Sequence, residues 1–364
     1  MRMAPRKNPP ISSPASFIGV EGDGFISFGS GQPDLPPPKQ IFSHLQDQRL
    51  FKYGLVQGDA KLRAALAREY PHAKGDDFVI TNGASEALDL VFRAIYEMHG
   101  PIQVLVCRPY YYSYVPIIEL AGLKVVYTDL KQGRIDLADF KKKVKGVKAV
   151  LINSPSNPTG RVEAMDTLYE IEKLTAKLGV YVISDEVYKD LIYVRGNYLI
   201  KGDHVITVNS FSKTYCMCGL RVGYFYARDP KIVQKVIDLK VHTSMNTSTI
   251  GQEMALRAMD VPQKFISHQT AIWKERRNFI YDGLTALGFD LWKPEGAFYV
   301  LPKIKNSGKV VNDLFYKHKV IVYDGAWFGA PGRIRLSYAL NLPKIKEGLG
   351  RMGEYLKGKE SWLK

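Results

Sequence analysis

The sequence predicts an α/β fold, a mostly parallel sheet sandwiched by helices in a large domain, with a smaller α+β domain behind it. Three observations predict it. Short β-rich runs alternate with amphipathic stretches from about residue 77 to 229, the pattern of strands joined by covering helices. After Gly288 the texture changes to short alternating runs interleaved with two helical stretches. A length of 364 residues exceeds what one hydrophobic core fills, so about two domains are expected.

In chain order, a basic, Pro- and Ser-rich arm (MRMAPRKNPPISSP) opens the chain; no apolar run follows it, so a secretory signal is not expected. QPDLPPP at 32–38 reads as an extended crossing segment. Candidate strands are FVIT (78–81), VLVC (104–107), KVVYT (124–128), AVLIN (149–153), VYVIS (180–184), VITVN (205–209) and VGYFYA (222–227). Helical spacing falls between several of them, at Ser85–Met98 and at Met165–Leu178, the second stopping at Gly179 as a C-terminal cap does. Pro230 opens a helix through Leu239, and Gly251–Met259 and Thr270–Leu287 are also helically spaced. AFYVLP (297–302), VIVY (320–323) and RIRLSYA (333–339) read as a small sheet, with Asn312–Lys319 and Lys344–Leu356 as its helices. The division that follows is 1–45 for the arm and part of the small domain, 46–250 for the large domain, and 251–364 for the small one.

Composition narrows the function. The longest apolar runs, such as Ala149 to Ile152, fall far short of the roughly 20 residues that span a bilayer, so no membrane partner is expected. Cys107, Cys216 and Cys218 form neither a disulfide framework nor a metal-ligand spacing; this fits a reducing cytoplasm and no metal. The net charge of +15 is spread along the chain, and the one dense cluster, KKKVKGVK at 141–148, lies where a helix runs into a strand and reads as a solvated face. The stretch before FGSGQPD is too short for a helix-turn-helix domain, so no nucleic-acid partner is expected. The positive field attracts anionic substrates and phosphate-bearing cofactors.

The residues that carry chemistry sit at strand ends. SFSKTYCMCGLRVGY (210–224) places Lys213 after Ser210 and Ser212, with Arg221 eight residues on: an amine nucleophile beside separate anion-binding groups, as an aldehyde with a phosphate requires. SDEVY (184–188) puts Asp185 where ligands collect in open sheets, and a carboxylate there holds a pyridinium nitrogen protonated. Tyr188 lies within reach of a ring hydroxyl. In NSPSNPTG (153–160) the Asn157 amide can donate to a phenolate oxygen. TNGASEAL (81–88) joins a strand to a helix whose first turn contains Ser85 and Glu86, where free N–H groups and the helix dipole make an anion site. RPYYYSY (108–114) offers tyrosines to cover a ring face, and Arg335 in RIRLSYA a guanidinium for a carboxylate.

Together and in this order, with FGSGQPD (28–34), YGLVQGDAKLRAAL (53–66) and PEGAFYVLP, these segments resemble the class I and II aminotransferases, the fold-type I, aspartate aminotransferase-like enzymes that use pyridoxal 5'-phosphate. The resemblance implies an aminotransferase moving an amino group between an L-amino acid and a 2-oxo acid by a ping-pong route, with an aspartate, aromatic or aminoadipate range. Glutamate with 2-oxoglutarate is one expected couple. It implies that Lys213 forms a Schiff base with the cofactor and carries a proton, and that Asp185 pairs with the pyridine nitrogen. Asn157 and Tyr188 would bond the ring oxygen, Tyr111 would stack on the ring, and Ala84, Ser85, Ser210, Ser212 and Arg221 would hold the phosphate. Tyr53 would reach that phosphate from a neighbouring subunit, implying a homodimer with shared sites. Gly31 and Arg335, with Asn157, would contact substrate. An amino-acid lyase or decarboxylase and a histidinol-phosphate aminotransferase are the competing readings. One departure is Asp324 in VYDGAWFG, where the family often has proline.

Overall fold

The computed structural model describes residues 11–17, 20, 24–43, 45–194 and 196–363; the basic head of the arm lies outside the described residues. A two-residue strand, β1 (Ile26–Ser27), precedes the seven runs read as strands, all of which form: β2 (Phe78–Thr81), β3 (Gln103–Arg108), β4 (Lys124–Lys131) with a short hairpin partner β5 (Arg134–Ile135), β6 (Ala149–Asn153), β7 (Tyr181–Asp185), β8 (Val205–Ser210) and β9 (Gly223–Ala227). They make one sheet in the order β2-β9-β8-β7-β6-β3-β4-β5. The inner strands β8, β7, β6, β3 and β4 run parallel, while β9 is antiparallel to both neighbours. Every residue of β2 and of β8 is buried. That is why these runs lack a polar alternation: both faces of such a sheet are covered.

The covering helices begin with α1 (Ala60–Ala67) and α2 (Gly83–His99), followed by α3 (Tyr114–Leu120), α4 (Leu137–Lys143), α5 (Met165–Leu178), the single turn α6 (Phe211–Thr214) and α7 (Pro230–Thr243). α2 buries Leu90, Val91, Phe92 and Ile95, each contributing about 1.5–3 kcal/mol, and this fixes the helix whose first turn faces the site. α5 stops at Gly179 with φ +62°, the left-handed cap the sequence predicts.

Beyond this sheet, α8 (Thr249–Met259) buries Met254, Ala255 and Ala258 in one cluster with Leu62, Phe78 and Ile80, so it packs with the large sheet. α9 (Gln263–Ala286) starts well before the expected Thr270. Its first turns leave Lys264, Ser267 and His268 exposed, half-bury the adjacent Phe265 and Ile266 and bury only Gln269, so their apolar residues show no helical spacing to read. α10 (Ser307–His318) likewise starts before the expected Asn312, and α11 (Leu342–Leu356) ends as predicted.

The small sheet departs from expectation in one respect. β10 (Tyr299–Val300), β12 (Tyr323–Asp324) and β13 (Ile334–Ser337) form an antiparallel triple in the order β10-β13-β12, but β11 (Val320–Ile321) leaves it to pair in parallel with β1 near the N-terminus. VIVY is therefore two strands in two sheets, because alternation specifies a face and not a partner. Asp324 does the work of the missing proline by hydrogen bonding: its Oδ1 accepts from the Ala326 N–H at 3.0 Å and the Ser307 hydroxyl at 2.9 Å. Glu295 ties the small-sheet segment to the large one, accepting from Arg134 at 2.6 and 2.7 Å and from the Val162 N–H at 3.1 Å. Among the described residues no helix is long and apolar enough to cross a membrane, and no group of His, Cys, Asp and Glu has metal-ligand geometry.

Candidate active site

A cleft of about 600 Å³ opens where the carboxyl ends of the parallel strands face the small sheet. It is lined by Gly31, Ala84, Ser85, Tyr111, Asn157, Asp185, Tyr188, Ser210, Ser212, Lys213, Arg221 and Arg335, so every predicted site residue but one converges there. The exception is Tyr53, which is 85% exposed and outside the lining.

One end of the cleft is an anion cradle. Gly83 opens α2 at φ +79°, and a Cβ there would lie 2.5 Å from the Arg221 guanidinium; a Cβ on Gly223 would lie 2.7 Å from the Ala84 nitrogen. Only glycine lets these segments close so tightly around the first turn of α2. The Ser210 side chain accepts from the Ser212 N–H at 3.1 Å and meets the Ser212 hydroxyl at 2.8 Å, capping α6. Arg221, itself at φ +55°, is aimed by donating to the Cys218 carbonyl at 2.9 Å.

Lys213 stands on α6, and its Nζ donates to the Gly31 carbonyl at 2.8 Å. Burial depresses its pKa, with Arg221 and Arg335 pushing the same way against Cys218 and Asp185, so the amine sheds its proton more readily than a surface lysine. Asp185 closes β7 and is buried. Its carboxylate accepts from the Tyr114 hydroxyl at 2.5 Å and the Val187 N–H at 3.2 Å, while burial raises its pKa to about 6. Asn153, at the end of β6, braces the neighbourhood by donating to the Asp185 carbonyl at 3.0 Å and accepting from the Asn157 N–H at 2.8 Å.

The opposite wall comes from the small sheet. Arg335, 2% exposed in β13, donates to Asn157 Oδ1 at 3.1 Å and to the Gly29 carbonyl, while its buried Nε has no partner among the described residues. Tyr188 shares a 2.8 Å hydrogen bond with Tyr299. Phe17, Tyr112, Tyr114, Asn153, Cys218, Tyr299 and Tyr323 also line the cleft, and sequence reasoning did not assign them there. The signal for Tyr114 is present in RPYYYSY; Phe17 and Tyr323 carry no local signal. Cys216 is occupied otherwise, its Sγ lying 3.0 Å from Gln269 Oε1.

Three buried carboxyls in and near the cleft have a pH signature. Burial raises Asp185 to about 6 and Glu163 and Glu186 to about 7, against an ordinary carboxyl pKa of about 4. Between these values these three carboxyls bind more protons in the folded chain than in the unfolded one, so their contribution to stability is present below about pH 4 and is lost as pH rises toward 7. In urea unfolding without added cofactor, the wild-type midpoint is expected to fall relative to that of Glu163→Gln across this window. A wild-type midpoint that rises relative to that of Glu163→Gln between pH 5 and 7 would contradict the sign.

A family model described as "Aminotransferase class I and II" matches residues 23–352. An aspartate aminotransferase of Thermotoga maritima is 33% identical over 95% of each chain. Aromatic-amino-acid aminotransferase 2 of Thermococcus litoralis is 31% identical over 94% of each. Among solved structures, an aromatic aminotransferase from Pyrococcus horikoshii superposes with a TM-score of 0.87 at 30% identity, over 96% of this chain and 100% of that one. The Thermus thermophilus aspartate aminotransferase with maleate gives a TM-score of 0.89 at 27% identity, over 97% and 100%.

Proposed function

The chain belongs to the class I and II aminotransferases, and from that premise we propose that it holds pyridoxal 5'-phosphate at Lys213 and moves an amino group between an L-amino acid and a 2-oxo acid within an aspartate and aromatic range. The observation that carries this reading is the convergence of a half-buried lysine, a buried aspartate and an under-partnered buried arginine in one cleft. When bound, the cofactor supplies an electrophilic aldehyde and a ring that draws electrons from the substrate's α-carbon.

The residues present fit that group. The glycine-tightened turn of Ala84 and Ser85, with Ser210, Ser212 and Arg221, suits a phosphate. Asp185, ionised above about pH 6, suits a protonated ring nitrogen. Asn157 keeps its amide N–H groups for a ring oxygen because its carbonyl already serves Arg335; Tyr188 joins it, and Tyr111 offers a ring face. Lys213 Nζ, neutral once deprotonated in its buried setting, accepts the α-proton. Arg335, supported by the Gly31 segment, takes the α-carboxylate in a fork. Two half-reactions on one site give ping-pong kinetics.

The same reading makes the chain a homodimer with shared sites, with Tyr53 serving the neighbouring copy's phosphate. Phe42, Phe51, Tyr53 and Leu55, all 59% or more exposed along one segment, support this. It divides the chain into large and small units, changing over after Met259, since α8 packs with the large sheet. Three free cysteines support a cytoplasmic location.

Titrating the protein with pyridoxal phosphate is expected to produce a visible absorbance band that each accepted amino acid then removes; no band in the wild type would sink the reading. Arg335→Lys, which cannot form the planar fork, should raise KM about 10- to 100-fold for every amino acid alike. An effect confined to one side chain would contradict the α-carboxylate role.

A further inference from the structure

The first turn of α2 carries an electrostatic conflict. It forms the anion cradle with Ser210, Ser212 and Arg221, yet it also holds Glu86, whose side chain is only 17% exposed. A carboxylate at a helix start is favourable by itself, but it repels a second anion held at the same turn. Glu86 accepts from the Asn82 N–H at 2.6 Å and from the Asn82 side-chain amide at 3.1 and 3.2 Å. Burial acts to raise its pKa, but hydrogen bonds from Ser244 and Asn82 and the charge of Lys240 outweigh it and lower the pKa, so the group is ionised at neutral pH.

The counter-charge comes from another helix. Lys240 on α7 has a fully buried side chain, and its Nζ donates to Glu86 Oε2 at 3.0 Å and to the Ser244 hydroxyl at 2.6 Å. Burial draws its pKa below that of a surface lysine, against the pull of Glu86. Stability alone does not call for such a pair, since apolar residues of similar volume often pack between two helices as well or better. The electrostatic consequence is local. Arg221 donates to the Cys218 carbonyl at 2.9 Å and to the Asn82 carbonyl at 3.5 Å, and neither partner is charged. Asn82 thus meets Glu86 through its N–H and Arg221 through its carbonyl. A Glu86 without a counter-ion would compete with a phosphate for Arg221; held by Lys240, it does not.

We propose that Lys240 is a positioning residue for the cofactor's phosphate: by neutralising Glu86 it keeps the first turn of α2 and Arg221 electropositive, although it lies outside the cleft lining. The inference rests on the reading above, in which the phosphate lies at this turn. The ion pair forms within one chain and acts whatever a neighbouring copy adds.

The test is calorimetric binding by the full chain freed of cofactor, with pyridoxal phosphate and with pyridoxal, which lacks the phosphate. Lys240→Met keeps the length and removes the charge; it is expected to weaken pyridoxal phosphate about 10-fold and pyridoxal by less than about 2-fold. Adding Glu86→Gln, which retains an acceptor for the Asn82 N–H, should return pyridoxal phosphate to within about 2-fold of wild type. Glu86→Gln alone should tighten pyridoxal phosphate about 3- to 10-fold, which decides the matter even where Lys240→Met does not fold. Equal weakening of both ligands in Lys240→Met, a double variant as weak as Lys240→Met, or Glu86→Gln with unchanged affinity would each overturn the inference, leaving Lys240 to pack α7 on α2. A wild type that binds pyridoxal phosphate no more tightly than pyridoxal would overturn the phosphate site itself, and the inference with it.

Discussion

Lys213→Ala is expected to lower multiple-turnover amino transfer by at least ~10⁴-fold, because one atom, Nζ, is both the amine that meets the cofactor's aldehyde and the base for the α-proton. The structure gives that atom a specific setting. Its side chain is half-buried, its one strong tie is the 2.8 Å hydrogen bond to the Gly31 carbonyl, and two arginines share its cleft and help hold its pKa down. Alanine removes the base without disturbing α6, whose cap is the Ser210 side chain. Binding of the phosphate should survive, since Ser85, Ser212 and Arg221 are untouched. The variant is therefore expected to take up cofactor by calorimetry, to lack the wild-type absorbance band, and to regain part of its proton-transfer rate when a small primary amine is added. Multiple turnover retained in the variant would show that another group does this chemistry.

How much of this was legible in the sequence depends on how far apart the cooperating residues lie. Asp185, Asn157, Ser210 and Lys213 follow buried strands directly, and apolar runs ending in turn residues mark such positions without any knowledge of the fold. Ser85 is marked the same way. The partners of these residues are not so marked. Tyr114 bonds Asp185 from 71 residues away, and among four neighbouring tyrosines nothing local singles it out. Phe17 reaches Tyr323 across almost the whole chain, from an arm that composition describes only as basic and turn-rich. The split of VIVY between two sheets is a matter of partner choice, which a period of two does not encode. Asp324 stands in the sequence as a departure from the family's proline, yet a buried carboxylate accepting from Ala326 and Ser307 fixes the turn in place of a ring. Tyr53 is the opposite case: the family pattern names it, but its role needs a second copy, and in one chain it lies exposed outside the cleft.

Asp185→Asn should have the second-largest effect, a fall of about 10³-fold in kcat. The substitution keeps shape and removes charge. Two unit charges about 4 Å apart at an effective dielectric near 20 interact by about 4 kcal/mol, and that is about three powers of ten in rate if the charge on the ring nitrogen is needed at the transition state. The cost falls on kcat rather than KM, because Arg335 and not Asp185 anchors the substrate. Tyr114 separates the charge from the packing. Its hydroxyl donates to the Asp185 carboxylate and favours the ionised form, against burial that lifts the pKa to about 6. Tyr114→Phe should therefore keep most activity at pH 8 but move the loss of cofactor affinity on acidification to higher pH, since Asp185 would protonate sooner. In Asp185→Asn that acid limb should vanish, with affinity low throughout. Equal acid limbs in the wild type and Tyr114→Phe would mean that the 2.5 Å hydrogen bond only packs the cleft and does not tune the carboxylate.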